Sequence, residues 1–227
     1  MPLLGQAAML LNFDIVPEAV AEHDDWHTHE HLPERLSIPG FLRGTRWSAT
    51  SSGPAYCVLY EVEQLATLAS EAYLARLNAP SPWTQRMMPH YRGMSRGLCR
   101  VVRSCGYGMG HYALQLRFKL APDAEESLLQ WLGGELMPAL CLRPGLGSVH
   151  LLHGGLTATM TSEQRIRGAD AGVDWALLAT GYVENAVNDL RHNDLSGAAL
   201  ERRGATETAA ASYRSAYTLT QQEIASG

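Results

Sequence analysis

Residues 8–40, AMLLNFDIVPEAVAEHDDWHTHEHLPERLSIPG, align without a gap with residues 113–145, ALQLRFKLAPDAEESLLQWLGGELMPALCLRPG, at a constant shift of 105 residues. Ten of the 33 aligned positions are identical, and one of them pairs Trp26 with Trp131. Tryptophan is an uncommon residue, so chance is a poor explanation of the match. A repeat of this length indicates two copies of one structural unit.

We predict two units, residues 1–104 and 111–227, joined by the run Gly-Tyr-Gly-Met-Gly at 106–110. Glycine runs of this kind can cradle phosphate groups when they follow a strand and open a helix. This run lies between two predicted strands, so we interpret it as a linker. The spacing between the copies grows mainly in 154–172, which we interpret as an inserted loop. We expect the first unit to hold the site and the second to be a degenerate scaffold.

Each copy shows the same order of predicted elements. Hydrophobic periodicity, an early helical proline and later Pro-Gly stops divide the first copy into strand, helix, two strands, helix and strand. The predicted ranges are 6–13, 17–32, 41–50, 55–62, 64–78 and 91–103. This β-α-β-β-α-β order is that of the ferredoxin-like unit. The predicted fold class is therefore α+β, with two tandem ferredoxin-like βαββαβ units packed sheet to sheet as an intramolecular α+β barrel.

The composition excludes several classes of protein. The chain has 227 residues, of which 46% are hydrophobic and 18% charged, which is ordinary for a globular core. A net charge of −5 argues against a nucleic-acid partner. Apolar runs are too short to span a bilayer, and no secretory leader is visible. The four cysteines share no C-x-x-C spacing. We expect a cytoplasmic protein with free thiols.

The two copies differ most along one helical stripe. Three imidazoles in the first copy align with three leucines in the second, namely His23, His27 and His31 with Leu128, Leu132 and Leu136. The i, i+4, i+8 spacing places each set on one buried face. Burying an unpaired polar group costs roughly 1–3 kcal/mol. The histidines therefore bond to carbonyls and waters, or line a pocket that uses them for proton transfer, or bind a metal through His27 with His31 or His23.

The stretch WHTHEHLPER at 26–35, followed by Pro39-Gly40-Phe41, resembles the dimeric α+β barrel superfamily, in particular its EthD-like and muconolactone-isomerase-like members. Members of that group have a helix ending in Glu-His-x-Pro and then Pro-Gly-Phe at the start of the second strand. The match covers the β-α-β start of the first unit well and the second unit more weakly. The superfamily includes dehydratases, isomerases, cofactor-free monooxygenases, haem proteins and members with no known activity.

We predict His31, His27 and Glu30 as catalytic residues. The resemblance marks His31, which lies at the predicted end of its helix. A helix C-terminus stabilises a protonated imidazole, and a pKa near 6.5 suits exchange of protons at neutral pH. His27, one turn earlier, could orient His31 or hold a ligand oxygen. Glu30 is retained as Glu135 in the copy without histidines, which also allows a scaffold role.

The predicted substrate-binding residues combine cations, aromatic rings and one more histidine: His23, Trp26, Arg43, Arg46, Tyr60 and Arg92. Arg43 and Arg46 are an odd distance apart, so at most one of them lines the barrel interior. A guanidinium inside a barrel suits a carboxylate or enolate substrate, whereas an exposed arginine needs no ligand. Trp26 aligns with Trp131 in the second copy, which is also consistent with a role in core packing alone.

The first functional expectation is a cofactor-independent lyase or isomerase that acts on a small aromatic or carboxylated metabolite by histidine acid/base chemistry. The alternative is a non-catalytic protein of the same fold that binds a small ligand or acts as a scaffold. The third is haem-assisted or metal-assisted oxidation. We expect a small-molecule ligand, no cofactor, no nucleic acid and no membrane, with a homodimer as a further possible assembly.

Overall fold

The structure, a computed structural model, describes residues 3–155 and 160–225, and eight strands run through this part of the chain. They are β1 (Ala7–Ile15), β2 (Phe41–Ala49), β3 (Tyr56–Val62), β4 (Tyr91–Gly106), β5 (Tyr112–Leu120), β6 (Leu146–His153), β7 (Trp175–Gly181) and β8 (Ala205–Thr220). The strands close into one barrel in the order β1-β3-β2-β8-β5-β7-β6-β4, and every pair is antiparallel. The predicted α+β barrel is confirmed.

Each half of the barrel is a ferredoxin-like sheet. The first four strands are ordered β4-β1-β3-β2 and the last four β8-β5-β7-β6. The two sheets join through the pairs β2–β8 and β4–β6. The barrel has no free strand edge, because each sheet completes the other.

Helices pack on the outside of the barrel. The first helical rod consists of a 3-10 turn (Pro17–Ala19), α1 (Val20–Trp26), a π-helical turn (His27–His31) and α2 (Leu32–Leu36). The corresponding rod of the second half is α5 (Glu125–Leu129), a π-helical turn (Gln130–Leu136) and α6 (Met137–Cys141). The other helices are α3 (Glu71–Asn78), α4 (Pro82–Met87), α7 (Ser162–Arg167), α8 (Glu184–Asp189), α9 (Gly197–Glu201) and α10 (Gln221–Ala225), with 3-10 turns at Leu65–Ala69 and Met88–His90.

The first rod extends beyond its predicted end near residue 32, since α2 continues to Leu36. Pro33 lies in the first turn of α2, directly after the π-helical turn. Proline has no N–H and normally disrupts a helix interior. The wider π-helical turn changes the hydrogen-bond pattern just where that N–H is missing, so the helix continues. The predicted helix 64–78 is instead divided, because Ser70 adopts an extended conformation and caps α3.

Three hydrophobic clusters stabilise the fold. One lies between the first rod and the outer face of β1–β4, and a second fills the matching gap in the other half. The third lies inside the barrel, where Trp47, Leu59 and Leu178 belong to one cluster. Side chains alternate between the two faces of each strand, so every strand contributes both to the barrel interior and to a helix–sheet layer.

The predicted inserted loop contains a helix and packs on the other half of the molecule. Thr161 and Gln164 form a capping box at the start of α7. The Ser162 amide donates to Asn78 Oδ1 at the end of α3, and the Ala171 amide donates to the carbonyl of Met94 in β4. Residues 160–174, between β6 and β7, therefore cover the helix–sheet gap of the first half.

No helix within residues 3–155 and 160–225 has the length and apolar character needed to cross a membrane.

Candidate active site

The three imidazoles of the stripe are buried between the first rod and its sheet. His23, His27 and His31 are 0%, 1% and 7% exposed. The ring centroids of His23 and His27 are 5.5 Å apart, and those of His27 and His31 are also 5.5 Å apart. The i, i+4 geometry of the rod thus produces a row of three neighbouring rings.

The outer end of this row is hydrogen-bonded and reaches the surface. His23 Nδ1 is 3.1 Å from Asp24 Oδ1, and its Nε2 is 3.3 Å from the hydroxyl of Tyr91. These distances fit an Nδ1–H that donates to the carboxylate and an Nε2 that accepts from the tyrosine. The side chain of Asp24 is 41% exposed, so it connects His23 to solvent. Tyr60 is buried and its hydroxyl is 3.5 Å from His27 Nε2.

The inner end of the row lines a small cavity. The cavity of about 30 Å³ is bordered by His31, by aliphatic and thioether groups, and by a set of polar side chains: Arg35, Tyr73, Arg96, Thr161, Glu163, Gln164 and Arg167. Trp26 packs on His31, with ring centroids 4.4 Å apart. The Nδ1 atoms of His27 and His31 are buried and have no hydrogen-bond partner among the described residues. Two polar atoms in this layer are therefore available to a ligand or a proton.

Burial sets the protonation state of the two inner histidines. It lowers the pKa of His31 well below the usual 6.5, and the positive charge of Arg35 lowers it further. Burial also lowers the pKa of His27, with smaller effects from His23 and Arg46. Both rings are neutral near pH 7 and can accept a proton. The expectation that a helix terminus stabilises protonated His31 is wrong, because the rod continues to Leu36.

Three arginines from three elements, α2, β4 and α7, line the cavity. Arg35 is buried and its Nη2 is 2.5 Å from Glu163 Oε1, while its Nη1 is 3.1 Å from Glu34 Oε2. Arg96 donates from Nη2 to the hydroxyl of Tyr73 at 3.1 Å. Arg167 makes a bidentate pair with Asp170. The neutral imidazole of His31 thus shares a cavity with three guanidinium groups.

The matching layer of the second half is apolar. Leu128 and Leu132 are fully buried where the first half has His23 and His27, and the aligned partner of Arg35 is the buried Leu140. In the first half, Arg96 of β4 pairs with Leu11 of β1. Leu11 aligns with Leu116 of β5 in the second half, and the residue of β8 that pairs with Leu116 is Ala210. The same backbone arrangement supports a hydrocarbon core in one half and a polar cluster in the other. The polar cluster is therefore not a requirement of the fold.

Several predicted site residues lie away from the cavity. Glu30 accepts hydrogen bonds from Trp26 Nε1 at 3.0 Å and from the Ser81 hydroxyl at 2.5 Å, which ties the rod to α4. These contacts are of the kind expected for the scaffold role that the sequence also allows. Arg92 is exposed and donates to the carbonyls of Pro89 and Tyr91. A β-bulge near Gly93, which has a φ of 59°, separates Arg92 from Arg96.

The two arginines of β2 lie on opposite faces of the sheet. Arg43 Nε is 2.6 Å from Glu61 Oε1, away from the histidine row. Arg46 faces the first rod, where it donates to the carbonyl of Asp24 and to the Thr28 hydroxyl. Arg46 therefore holds the rod beside His23 and does not line the cavity.

None of the seven polar side chains that border the cavity beside His31 was among the predicted site residues; they include Arg35, Tyr73, Arg96, Glu163 and Arg167. Arg35 follows His31 by four residues and aligns with Leu140, so the stripe comparison could have been extended to it. Glu163 and Arg167 come from the insertion in the other half. No periodicity or repeat connects that insertion to the first unit, so the sequence offers no means of placing them.

The cavity does not fit a haem group. Three guanidinium groups and a carboxylate line it, whereas a flat macrocycle needs a wide apolar slot. Its volume of about 30 Å³ is far below the roughly 300–1,000 Å³ of ordinary ligand pockets, so entry of any organic ligand requires part of the wall to move. In the described ranges, no group of three or more His, Cys, Asp or Glu side chains has an arrangement that could hold a metal ion.

Comparisons with known proteins support the fold. No sequence model of a protein family matches the chain, and no curated protein gives a significant match. An anthrone oxidase-like protein of known structure superposes with a TM-score of 0.67 at 16% identity, covering 99% of this chain and 97% of that one. Candidate monooxygenases from Fusobacterium nucleatum and Lactobacillus acidophilus give TM-scores of 0.63 and 0.59 at 8% and 9% identity, with 95–96% of each chain covered.

These similarities place the chain among ferredoxin-like α+β barrels. They also correct the functional expectation, because these three structures are described as oxidase-like or as monooxygenases and not as lyases or isomerases. The lyase or isomerase prediction is therefore wrong.

Proposed function

We propose that this protein is an enzyme that oxidises a small aromatic substrate with molecular oxygen, and that His31 removes the proton that starts the reaction. The observation that carries the proposal is a neutral, buried imidazole that borders the same cavity as three guanidinium groups. Support comes from the names of the structural neighbours, an anthrone oxidase-like protein and two candidate monooxygenases.

The chemistry suits a carbon acid whose anion is stabilised by aromatic rings. His31 takes one proton from a methylene carbon, and the arginines stabilise the negative charge that develops. The electron pair of the carbanion forms a C–O bond to molecular oxygen, and the resulting peroxide takes up a proton. Loss of the second C–H proton with cleavage of the O–O bond gives a ketone. The balance is CH₂ + O₂ → C=O + H₂O.

The row of histidines offers a route for the proton. His27 and His23 lie between His31 and the partly exposed carboxylate of Asp24, with neighbouring ring centroids 5.5 Å apart. Ring rotation or an intervening water is needed for transfer across that spacing, since the rings do not hydrogen-bond to each other directly. In this scheme His31 is the catalytic base, and His27 and His23 return it to its neutral form.

We also infer the origin of the site from the repeat. The chain derives from a tandem duplication of an EthD-like unit, with units at 1–104 and 111–227. The polar layer was retained or acquired in the first unit only. The gapless alignment of residues 8–40 with 113–145 and the parallel order of strands in the two halves support this inference.

The first test is oxygen consumption with anthrone as the trial substrate. Wild-type protein is expected to consume oxygen and form the ketone, and His31→Ala to do so about 100-fold more slowly, the usual scale for loss of a general base. His29→Ala is the matched control, because His29 lies on the same rod but is exposed. It should retain activity within about twofold.

Two outcomes would contradict the proposal. One is equal activity in His31→Ala and wild type. The other is binding of anthrone by the wild type without oxygen consumption, which would favour the non-catalytic binding alternative.

A further inference from the structure

The buried Arg35 is held by a carboxylate from the other half of the molecule. Glu163 is 3% exposed, and its Oε1 is 2.5 Å from Arg35 Nη2 although 128 residues separate the two in sequence. Glu163 lies on α7, in the connection between β6 and β7. The corresponding connection between β2 and β3 spans only residues 50–55 and contains no helix. The partner of Arg35 is therefore delivered by an added segment.

Each guanidinium of the cavity has different partners, and Arg35 has two carboxylates, Glu163 on its Nη2 and Glu34 on its Nη1. Arg167 is matched by Asp170, which holds it with two hydrogen bonds from Nη2. Arg96 is neutralised by no carboxylate within the described residues, and its Nη2 donates to the uncharged hydroxyl of Tyr73. Glu163 is the acidic side chain that borders the cavity itself. Its carboxylate lies where the guanidinium groups of the cavity would bind the acidic group of a ligand.

The cavity is too small for an organic substrate in the arrangement observed. Its volume of about 30 Å³ corresponds to one or two water molecules. The walls that the rod and the sheet supply are packed core elements. The remaining wall is α7, a helix of six residues. Ser162 at its start bonds to Asn78 of α3, and the backbone of Ala171, just after the helix, bonds to β4. Room for a ligand beside His31 therefore requires Glu163 and α7 to move away.

We propose that Glu163 is an internal stand-in for the acidic group of the substrate, and that an anionic aromatic ligand, a carboxylate or phenolate, displaces it from Arg35. This inference rests on the proposed function for its location but makes a claim about binding alone. Breaking the Arg35–Glu163 pair without a replacement leaves the buried Nη2 of Arg35 without its partner and Glu34 as the remaining carboxylate, which is unfavourable. An anionic ligand restores the pair and a neutral one does not. The exchange therefore favours anionic ligands, and a neutral ligand such as anthrone must displace Glu163 without replacing it, at a cost in affinity.

The test compares benzoate with its neutral analogue benzamide by titration calorimetry. Only benzoate replaces Glu163 on Arg35, so the wild type is expected to bind benzoate about tenfold more tightly than benzamide. Glu163→Gln removes the carboxylate that a ligand must displace, so it is expected to bind benzoate about tenfold more tightly than the wild type does. Asp194→Asn is the matched control. It removes the carboxylate of another arginine pair, Arg143–Asp194, which lies in the second half, and it should leave benzoate affinity unchanged.

Unchanged or weaker benzoate binding in Glu163→Gln would overturn the proposal, as would equal affinities of the wild type for benzoate and benzamide.

A double variant controls for misfolding of the single Arg35→Leu variant. Arg35→Leu alone leaves Glu163 buried without its partner, whereas Arg35→Leu with Glu163→Gln removes both charges and matches the Leu140 of the second half. This double variant should stay folded and lose the preference for benzoate over benzamide. A retained preference would show that Arg35 is not the anion site. Neither measurement needs turnover, so absence of oxygen consumption would refute the proposed activity and leave this binding test intact.

Discussion

At the residue scale, the comparison of His27 with Leu132 separates what the fold needs from what the site needs. Both side chains are fully buried at aligned positions of the two rods. Leu132 contributes hydrophobic area, while His27 places in the same kind of layer an Nδ1 that has no hydrogen-bond partner among the described residues. A buried polar atom of this kind costs roughly 1–3 kcal/mol. The first half is destabilised by this amount in a layer where the second half has leucine.

His27→Leu is therefore expected to raise the free energy of unfolding by about 1 kcal/mol, because it removes the unpaired atom and keeps the volume. Leu132→Ala should lower it by roughly 2–5 kcal/mol, since it truncates a packed leucine. Urea denaturation of both variants measures the two changes. A His27→Leu variant that is clearly less stable than the wild type would indicate that the imidazole is satisfied, and so would argue against a functional role.

At the element scale, α7 shows the limit of sequence reasoning. The repeat placed the strands of the first half within three residues of their observed bounds, because hydrophobic periodicity and Pro-Gly stops act locally. The insertion was interpreted as a loop, and its packing on α3 and β4 is a long-range contact that no local pattern encodes. The π-helical turn before Pro33 was also missed, since a proline normally predicts the end of a helix.

The N-cap of α7 gives a prediction at this scale. Thr161→Ala removes the capping box with Gln164 and should destabilise α7 by about 1 kcal/mol. Faster amide hydrogen exchange is expected over 162–167, together with benzoate binding about fivefold tighter than in wild type, because less energy is needed to move the helix. Ser196→Ala removes the N-cap of α9 in the other half and serves as the control. Faster exchange without tighter binding would show that α7 does not restrict the cavity.

At the scale of the whole molecule, two nearly equivalent halves carry different layers. The sequence predicted both the barrel and the asymmetry of the histidine stripe, because these follow from alignment of the chain with itself. It did not predict the guanidinium groups of the cavity, since Arg96 depends on a β-bulge and Arg167 on the insertion. For Glu30 the sequence allows both a catalytic and a scaffold role, and its carboxylate links the rod to α4. Residues that share a face locally were predictable, and residues joined by tertiary packing were not.

Stability should depend on pH through the buried histidines. Burial lowers the pKa of His23, His27 and His31 in the folded state, and that of His150 to about 3. The unfolded chain then binds more protons below about pH 6.5, so stability is complete above that pH and falls as the pH decreases, by up to roughly 1.4 kcal/mol per pH unit for each group.

The measurement is the free energy of unfolding at pH 7.5 and pH 5. The double variant His27→Leu with His31→Leu is expected to lose clearly less stability over this range than the wild type. The exposed His29→Leu should behave like wild type. An identical loss in all three proteins would mean that the two inner imidazoles are not held neutral by the fold.

The central claim is that His31 removes a proton from the substrate carbon, and hydrogen–deuterium exchange without oxygen tests it most directly. Anthrone is incubated with the protein in D₂O under anaerobic conditions, and loss of the methylene proton signal is followed by NMR. Wild-type protein should accelerate the exchange over buffer, and His29→Ala should match it. His31→Ala should give the buffer rate. Undiminished exchange in His31→Ala, or aerobic oxidation by the wild type without any anaerobic exchange, would contradict the account.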